Sequence, residues 1–455
     1  MEEYSLLKRQ AQLAMELIKE IKVLQDRVKE LEKEIQLLKN NRNSNTSSTP
    51  PSQDFGRSNQ KSLRQKTEKK TGGQQGHEGK NLLMTEMPDE IIEYKPHFCK
   101  ECGEALVNQA CNFVSRKQEV DLPPVLPRYI EHQSYSCTCK RCGTTTTTTL
   151  PERLKASIQY GDNIKALIVY LSVYHYLPYN RIAEFLQDSL NLPISEGTID
   201  NILKECTEKA RPAYGEIRNR VQSSLVVGGD ETGIKINGKK GWLFTFQNQH
   251  LTLLSASMSR GFHSISRLFE KGFPHSVYVS DCLPAQLKIQ SQSKQLCTAH
   301  LQRELANFKD VFDCEFSSQL ANLVEQAIKL KYRLPETEYL LHQHKTNYFR
   351  AKLDKLLDGC HEGKHKKVLA FIKRLKKHRD FVFTFLEYPE VPADNNGSER
   401  AIRNAKVKMK VSGQFRSYAG AESFAILRSI IDTAKKNSQN VLNALSLVQK
   451  VGYIC

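Results

Sequence analysis

Residues 225–230, with the sequence LVVGGD, and residues 277–281, with the sequence VYVSD, determine how this chain can fold. Each is a short apolar run that ends in an aspartate, which is typical of a buried β-strand with a carboxylate at its end. Far downstream, residues 394–400, with the sequence DNNGSER, contribute a third carboxylate. Three acidic side chains that converge can hold two Mg²⁺ ions about 3.5–4 Å apart, which favours phosphodiester chemistry. The predicted metal ligands are Asp230, Asp281 and Glu399.

The pattern around the first two aspartates predicts an α/β domain. Strands are expected at residues 225–229, 241–246, 251–255, 276–280 and 295–299, with a tight hairpin at Asn237-Gly238. Three antiparallel strands followed by two shorter ones, with helices after them, is the strand inventory of a ribonuclease H-like core. In that layout Asp230 leaves the first strand and Asp281 leaves the fourth, so the two carboxylates can meet. Taken alone, an aspartate in such a place is more often a turn residue or a helix cap.

The residues between Asp281 and Glu399 look mostly helical and are interpreted as an insertion at about 301–390. Its basic run from Lys364 to Arg379 either grips the DNA backbone or is the solvated face of an amphipathic helix. A new helix is expected to start near Glu399, capped by one of the polar residues just before it. Residues 400–416 contain no acidic side chain. The basic side chains predicted to contact DNA are Arg400, Arg403, Lys406, Lys408, Lys410 and Arg416.

The composition favours an intracellular protein that binds a polyanion. The 455 residues exceed what one hydrophobic core usually organises. The 67 Lys and Arg against 50 acidic residues give a charge of +17, which favours nucleic acid as the partner. No apolar run reaches the length of about 18 residues that a membrane span needs, so we expect no membrane partner and a cytoplasmic, nucleoid-associated location. The 12 cysteines are scattered, which predicts reduced thiols and one metal cluster.

The first 40 residues carry a heptad repeat. Its apolar positions are Ala14, Ile21, Val28 and Ile35 in one set and Leu17, Leu24, Leu31 and Leu38 in the other. This spacing predicts a parallel coiled coil, and therefore a homodimer or a higher assembly, whereas the alternative is an amphipathic helix that folds on its own core. Residues 41–85 are too polar to form a core and predict a basic flexible linker, which either contacts phosphates or is merely solvated.

Two CXXC motifs, each followed by glycine, predict a structural Zn²⁺ site in a zinc-ribbon-like module. The four ligands would be Cys99, Cys102, Cys139 and Cys142. With every position filled by a thiolate, such a site would serve folding or DNA positioning and not catalysis. The alternative is a pair of reduced loops without metal. Further on, residues 160–210 predict helices, with Ser195 as the cap of one of them. A helix-turn-helix that binds DNA and a helical bundle that packs on the catalytic domain both fit this pattern.

In their order along the chain, these motifs resemble the insertion sequence 66 family of bacterial DDE transposases. The resemblance is carried by the heptads, the CXXC motifs and residues 43–52, 72–79, 170–174, 193–199, 229–233, 297–301 and 395–403. The chain departs from the family pattern at residues 282–284, where small residues are expected, and at Gln302, where the family often has a basic residue.

The resemblance implies a transposase that uses two Mg²⁺ ions, or Mn²⁺, held by Asp230, Asp281 and Glu399. Such an enzyme cleaves the ends of its element with water and then joins the freed 3′ hydroxyl to target DNA. The implied partners are double-stranded DNA, both of the element ends and of the target, and accessory proteins of the same element. Glu231 is the reserve ligand if the register of the first strand differs by one residue. His300 either orients a phosphate or is a hydrogen-bonded core residue. A catalytically silent DNA-binding protein derived from a transposase and a nuclease of the same fold are the two rival functions.

The expected fold class is α/β, with a ribonuclease H-like catalytic core. The predicted domains are a coiled coil (1–40), a basic flexible linker (41–85), a zinc-ribbon-like module (86–150), a helical DNA-binding domain (151–222), a DDE catalytic domain with its helical insertion (223–412) and a C-terminal helical segment (413–455).

Overall fold

A computed structural model describes residues 2–40, 82–122, 126–335 and 343–451 of the chain. The chain divides into two compact units, of which one is Arg57–Arg128 and the other combines Met1–Gly56 with Tyr129–Cys455. The linker predicted for residues 41–85 lies almost entirely outside the described residues. Among the described residues, no helix has both the length and the apolar character needed to cross a bilayer.

Helix α1, Glu2–Asn40, is a single continuous helix, as a heptad repeat of this length requires. Its apolar stripe is left open to solvent in the single chain. The exposed fractions of the described heptad residues run from 42% to 62% for Leu17, Ile21, Leu24, Val28, Leu31 and Ile35. Leu38, the last of the predicted heptad residues, lies outside the side chains that the structure describes.

Helices precede the main sheet and pack against it. They are α2 (Asp162–Val169), which continues into a π-helical turn (Tyr170–Tyr174), α3 (Tyr179–Leu190) and α4 (Glu196–Gln222). The predicted cap at Ser195 is confirmed, because its Oγ accepts a hydrogen bond of 3.1 Å from the amide of Thr198. Buried residues of these helices, such as Ile168 and Ile199, share one hydrophobic core with Phe246 of the sheet.

The main sheet has the strand order β5-β4-β3-β6-β7. The strands are β3 (Val226–Ile236), β4 (Lys239–Gln247), β5 (Thr252–Ser257), β6 (Phe273–Ser280) and β7 (Ser291–Leu296). Strands β3, β4 and β5 are antiparallel, whereas β6 pairs in parallel with both β3 and β7. The hairpin predicted between β3 and β4 is confirmed, because Asn237 and Gly238 both adopt positive φ, at 45° and 75°, as a tight two-residue turn requires. A separate short hairpin joins β1 (Ser136–Thr138) to β2 (Thr145–Thr147).

Two strand ends differ from the prediction. Strand β3 pairs with β4 all the way to Ile236. Asp230 therefore lies within the strand, whereas the sequence predicted it at the strand's end. Strand β7 ends at Leu296, and the prediction of a strand to residue 299 is wrong. The amide and the hydroxyl of Thr298 both donate to the carbonyl of Ala393, at 3.1 and 2.9 Å, so the chain leaves the sheet and begins a helix.

Helices account for most of the chain after β5. They are α5 (Phe262–Ser266), α6 (Pro284–Leu287), α7 (Thr298–Phe312), α8 (Glu315–Arg333), α9 (Gln343–Asp358), α10 (Lys366–Lys377), α11 (Asn396–Ser412), α12 (Tyr418–Lys436) and α13 (Val441–Val451), with 3₁₀ turns at Arg379–Phe381 and Thr384–Leu386. Helices α7 to α10 occupy the range predicted as a helical insertion.

Two hydrophobic cores contact the sheet, and at strand β6 they lie on its opposite faces. In β6, Tyr278 belongs to one core, whereas its neighbours Val277 and Val279 belong to the other, as the alternation of side chains along a strand requires. The first core includes helices α2 to α4 and α12. The second core is built with helices α7 to α10, for example by Phe308 and Phe371. The carboxyl ends of the parallel strands therefore lie between two layers of helices.

Candidate active site

Adjacent parallel strands bring the two aspartates side by side. Gly228 of β3 is paired with Val279 of β6. When this register is continued by two residues, Asp230 stands opposite Asp281, which directly follows the end of β6. Neighbouring strands are about 4.8 Å apart, so the two carboxylates lie at the same edge of the sheet.

Two glycines before Asp230 let other elements approach β3 closely. A Cβ atom on Gly228 would lie 2.5 Å from Oδ1 of Asn395 and 2.7 Å from Nε2 of Gln247. A Cβ on Gly229, on the other face, would overlap with the hydroxyl of Tyr278. Close packing therefore explains the two glycines of the GGD sequence, because any larger residue at either position would displace a neighbour of the site.

The start of helix α11 is fixed to β3 by hydrogen bonds. Nδ2 of Asn395 donates to the carbonyl of Gly229 at 2.7 Å, and Oγ of Ser398 donates to Oδ1 of Asn395 at 2.6 Å. Asn395 and Ser398 are both buried. The helix begins at Asn396, three residues earlier than predicted, where Oδ1 of Asp394 accepts from the amide of Asn396. These contacts carry the first turn of α11, and Glu399 with it, to the edge of the sheet that holds the aspartates.

The Glu399 carboxylate is already engaged. Nη2 of Arg303, on α7, donates a short hydrogen bond to its Oε1. Nδ1 of His300 is 3.8 Å from the same oxygen, which is beyond hydrogen-bonding distance. Among the described residues this Nδ1 has no hydrogen-bond partner, and burial lowers the pKa of His300. A role of His300 in orienting a phosphate remains a prediction.

The electrostatics of the site are those of crowded carboxylates. Burial, and then the charges of Asp281 and Glu231, raise the pKa of Asp230 well above its ordinary value. The Asp230 side chain is enclosed by protein atoms, although part of its surface remains accessible. Burial also raises the pKa of Asp281, while a hydrogen bond of 3.0 Å from the Leu283 amide opposes this effect. Such a cluster gains stability from a cation.

The three predicted ligands do not form one closed ligand set. Within the described residues, no group of three or more His, Cys, Asp or Glu side chains is arranged to hold a single metal ion. Asp230 interacts electrostatically with both Asp281 and Glu399, so the carboxylates are near one another. In this arrangement the Glu399 carboxylate is paired with Arg303.

Glu231 lies on the other face of β3, as strand alternation predicts. Its carboxylate accepts hydrogen bonds from Arg260, which follows β5, and from Gln286 in α6. A further arginine, Arg374 of α10, is near enough to lower the pKa of Asp281. Arg260 and Arg303 lie outside every predicted motif, and Arg374 lies within the basic run from Lys364 to Arg379. No local sequence signal marks them, because their partners are distant along the chain.

The basic side chains predicted on α11 differ in exposure. Arg400, Arg403, Lys410 and Arg416 are exposed, while Lys406 is half-buried. Lys408 is also half-buried, and burial lowers its pKa. The exposed members of this set, together with Lys406, form a surface suited to phosphate contacts.

Each CXXC motif folds as a tight turn. In the unit of residues 57–128, the amide of Cys99 donates to the carbonyl of Glu104 at 2.8 Å, and the amide of Gly103 donates to Cys99 at 3.0 Å. In the other unit, Cys139 and Gly143 repeat this pattern, at 2.9 Å to Thr144 and 2.8 Å to Cys139. Both glycines adopt positive φ, at 76° and 72°, as predicted for thiolate-binding turns.

Hydrogen bonds lower the pKa of one thiol in each turn. For Cys99 the donors are the backbone amides of Cys102 and Glu101, followed by the Cys102 side chain. For Cys142 the hydrogen-bond partners are the side chain and backbone of Thr144, followed by the Cys139 side chain. A thiol with a lowered pKa is closer to the thiolate form that binds metal.

Two known protein families match parts of the chain. The family model described as the IS66 family of transposases matches residues 157–423, which is more than half of the chain. The chain belongs to the IS66 transposase family. A second model, described as a family of unknown function, DUF6444, matches residues 3–82. No curated protein matches the chain. The IS66 match spans the sheet, the site and helices α2 to α11, and it confirms the resemblance seen in the sequence.

Proposed function

We propose that this IS66-family protein is a DNA transposase that cleaves the ends of its element and joins them to target DNA. The observation that carries the proposal is the alignment of Asp230 and Asp281 on neighbouring parallel strands, with Glu399 brought to the same edge by α11. Because its substrate would be chromosomal and element DNA, the protein would act at the nucleoid of a bacterial cell.

We further propose that the core is ribonuclease H-like. The support is the strand order, in which three antiparallel strands are followed by two parallel ones on the far side of the first. This matches the strand inventory expected from the sequence. Helices on both faces of the sheet are consistent with it.

The proposed metal ions are Mg²⁺ or Mn²⁺, held by Asp230, Asp281 and Glu399. The fit rests on chemistry of the donor set, since oxygen ligands suit these ions and the buried aspartates repel each other without a cation. When bound, the ions would activate water and stabilise the charge on the phosphate. Asp230 and Asp281 are ready to act as ligands, whereas Glu399 would have to leave Arg303 first. The exposed arginines of α11 would bind DNA phosphates beside them.

We retain the structural Zn²⁺ site as a proposal from the sequence, with Cys99, Cys102, Cys139 and Cys142 as ligands. Its support is the shared turn geometry and the lowered thiol pKa in each motif. Metal analysis of the purified chain tests it. Serine at Cys99 and Cys142 should abolish bound zinc, while serine at the exposed Cys360 should leave it unchanged.

We also propose that α1 forms a parallel coiled coil between two copies of the chain. The support is the exposed apolar stripe, which a second copy of the same helix would cover. Leu24→Glu should convert the dimer to a monomer in analytical ultracentrifugation, whereas Lys22→Glu, on the polar side of the helix, should not.

The decisive experiment is a strand-transfer assay with full-length protein, Mg²⁺, labelled element ends and a plasmid target. Joined products would support the transposase. Cleavage without joining would favour a nuclease of the same fold, and binding without cleavage would favour a silent DNA-binding protein. Asp230→Asn should abolish the products while DNA binding persists. Asp310→Asn, at an exposed position of α7, removes the same charge and should leave the products unchanged.

A further inference from the structure

Glu231 and Arg260 form a fixed pair beside the candidate active site. Oε1 of Glu231 accepts hydrogen bonds from Nε and Nη2 of Arg260, at 3.0 and 2.7 Å. The Glu231 side chain is 2% exposed, whereas that of Arg260 is 46% exposed. The pair therefore connects the interior of the protein to its surface.

The interior end of this pair is anchored on both aspartate-bearing segments. Glu231 follows Asp230 in β3, and its Oε2 accepts a hydrogen bond of 2.7 Å from Gln286 of α6, the helix that follows Asp281. Oε1 of Gln286 accepts in turn from the hydroxyl of the fully buried Tyr278. Both carboxylate oxygens of Glu231 are thus in use, so this residue serves to hold Arg260.

The outer end is fixed by an aromatic ring. The guanidinium carbon of Arg260 is 4.7 Å from the ring centroid of Trp242, and the ammonium of Lys240 is also 4.7 Å from it. Among the described residues, Nη1 of Arg260 has no hydrogen-bond partner. A planar guanidinium that is held on two sides and keeps a donor open suits a phosphate oxygen, and Lys240 adds positive charge nearby.

We propose that Arg260 contacts a backbone phosphate of bound DNA next to the acidic site, and that Glu231 and Trp242 are positioning residues for it. This inference rests on the proposed DNA-binding function and adds a phosphate contact on the opposite side of β3 from α11. The competing role, in which Arg260 only neutralises the buried Glu231, is an outcome of the test.

The test compares DNA binding by full-length variants without divalent metal, so that catalysis plays no part. A short fluorescein-labelled duplex is titrated in EDTA at several salt concentrations. Arg260→Gln should weaken binding and reduce the slope of log K against log salt by about 0.9, the value for one phosphate contact in duplex DNA. Arg260→Lys should restore part of the slope. Arg267→Gln, an equal loss of charge at an exposed position nearby, is the control and should leave the slope unchanged.

Trp242 supplies a second, direct measurement, because it is the only tryptophan of the chain. DNA that engages Arg260 should change its emission in the wild type and much less in Arg260→Gln. The double variant Glu231→Gln/Arg260→Gln removes both charges and leaves no unpaired buried carboxylate, so it keeps the test valid if the single variant fails to fold. Glu231→Gln should weaken DNA binding when Arg260 is present, and it should have no further effect on DNA binding in the Arg260→Gln background.

The outcomes separate this inference from the proposed function. If the wild type does not bind the duplex, the DNA function fails and the inference fails with it. If the wild type binds while the folded Arg260 variants show the same affinity and salt slope, the function stands and Arg260 only neutralises Glu231.

Discussion

Replacing Gly229 by alanine tests whether the close approach around Asp230 is a real constraint. The new Cβ would overlap with the Tyr278 hydroxyl and lie 2.5 Å from its Cζ. Tyr278 has little freedom to move, because it is fully buried, stacks on Phe273 with 5.3 Å between ring centroids, and donates to Gln286. Forcing an extra methyl into a packed core costs about 1–3 kcal/mol, and this rigid neighbour places the cost near the upper end, at about 3 kcal/mol.

The loss can be measured by urea unfolding followed by the fluorescence of Trp242, which lies in β4 and reports on the sheet. Tyr278→Phe removes the overlapping atom, so Gly229→Ala should cost less in that background, with a coupling of about 1 kcal/mol or more. Gly215→Ala in α4 is the matched control. No atom lies within 4 Å of its Cβ position, and the change should be neutral or stabilising by up to about 1 kcal/mol. Equal urea midpoints for Gly229→Ala and the wild type would refute the steric argument.

Three further predictions concern metal and pH. Mg²⁺ should raise the thermal unfolding midpoint of the metal-free protein, since a ligand of the folded state stabilises it, and Asp281→Asn should remove the rise. Arg303→Ala should strengthen Mn²⁺ binding in calorimetry, because Glu399 loses the cation that competes for it; unchanged or weaker binding would contradict this. Burial lowers the pKa of Lys436 to about 8, from an ordinary value of 10.5. Between pH 8 and pH 10.5 the unfolded chain therefore binds more protons than the folded protein, and the free energy of unfolding should rise with pH in this range. Lys436→Met should flatten that rise in urea unfolding, and parallel pH profiles would argue against it.

The strands and the position of the two candidate aspartates beside each other were accessible to sequence reasoning because their signals are local. Alternation, apolar runs and the Asn237-Gly238 turn predict the hairpin and the approximate positions of the five strands that the structure contains. The extension of β3 beyond Asp230 was missed because residues 230–233 are polar or glycine, which resembles a loop until pairing with β4 is known. Backbone pairing satisfies those residues regardless of their hydrophobicity.

The neighbours of the acidic residues were not accessible in the same way. Arg303 contacts Glu399, which is 96 positions away in the sequence, and Arg260 contacts Glu231, which is 29 positions away. Nothing in a local window distinguishes an arginine that faces a site from one that faces solvent. The link between Asn395 and the Gly229 carbonyl is equally distant along the chain, although the small residues at 228 and 229 were a sign of close approach.

Three arginine–glutamate pairs surround the aspartates, and they do not have the same consequence for metal binding. Arg260 pairs with Glu231 and Arg374 pairs with Glu304, and both arginines lower the pKa of Asp281 without occupying one of the three predicted ligands, Asp230, Asp281 and Glu399. Their positive charges oppose the effect of burial on the Asp281 carboxylate. Arg303 differs, because its partner Glu399 is the third predicted ligand. In the proposed metal site Glu399 would have to leave Arg303 before it could bind a cation with the aspartates, and for this reason removal of Arg303 should favour the metal-bound state.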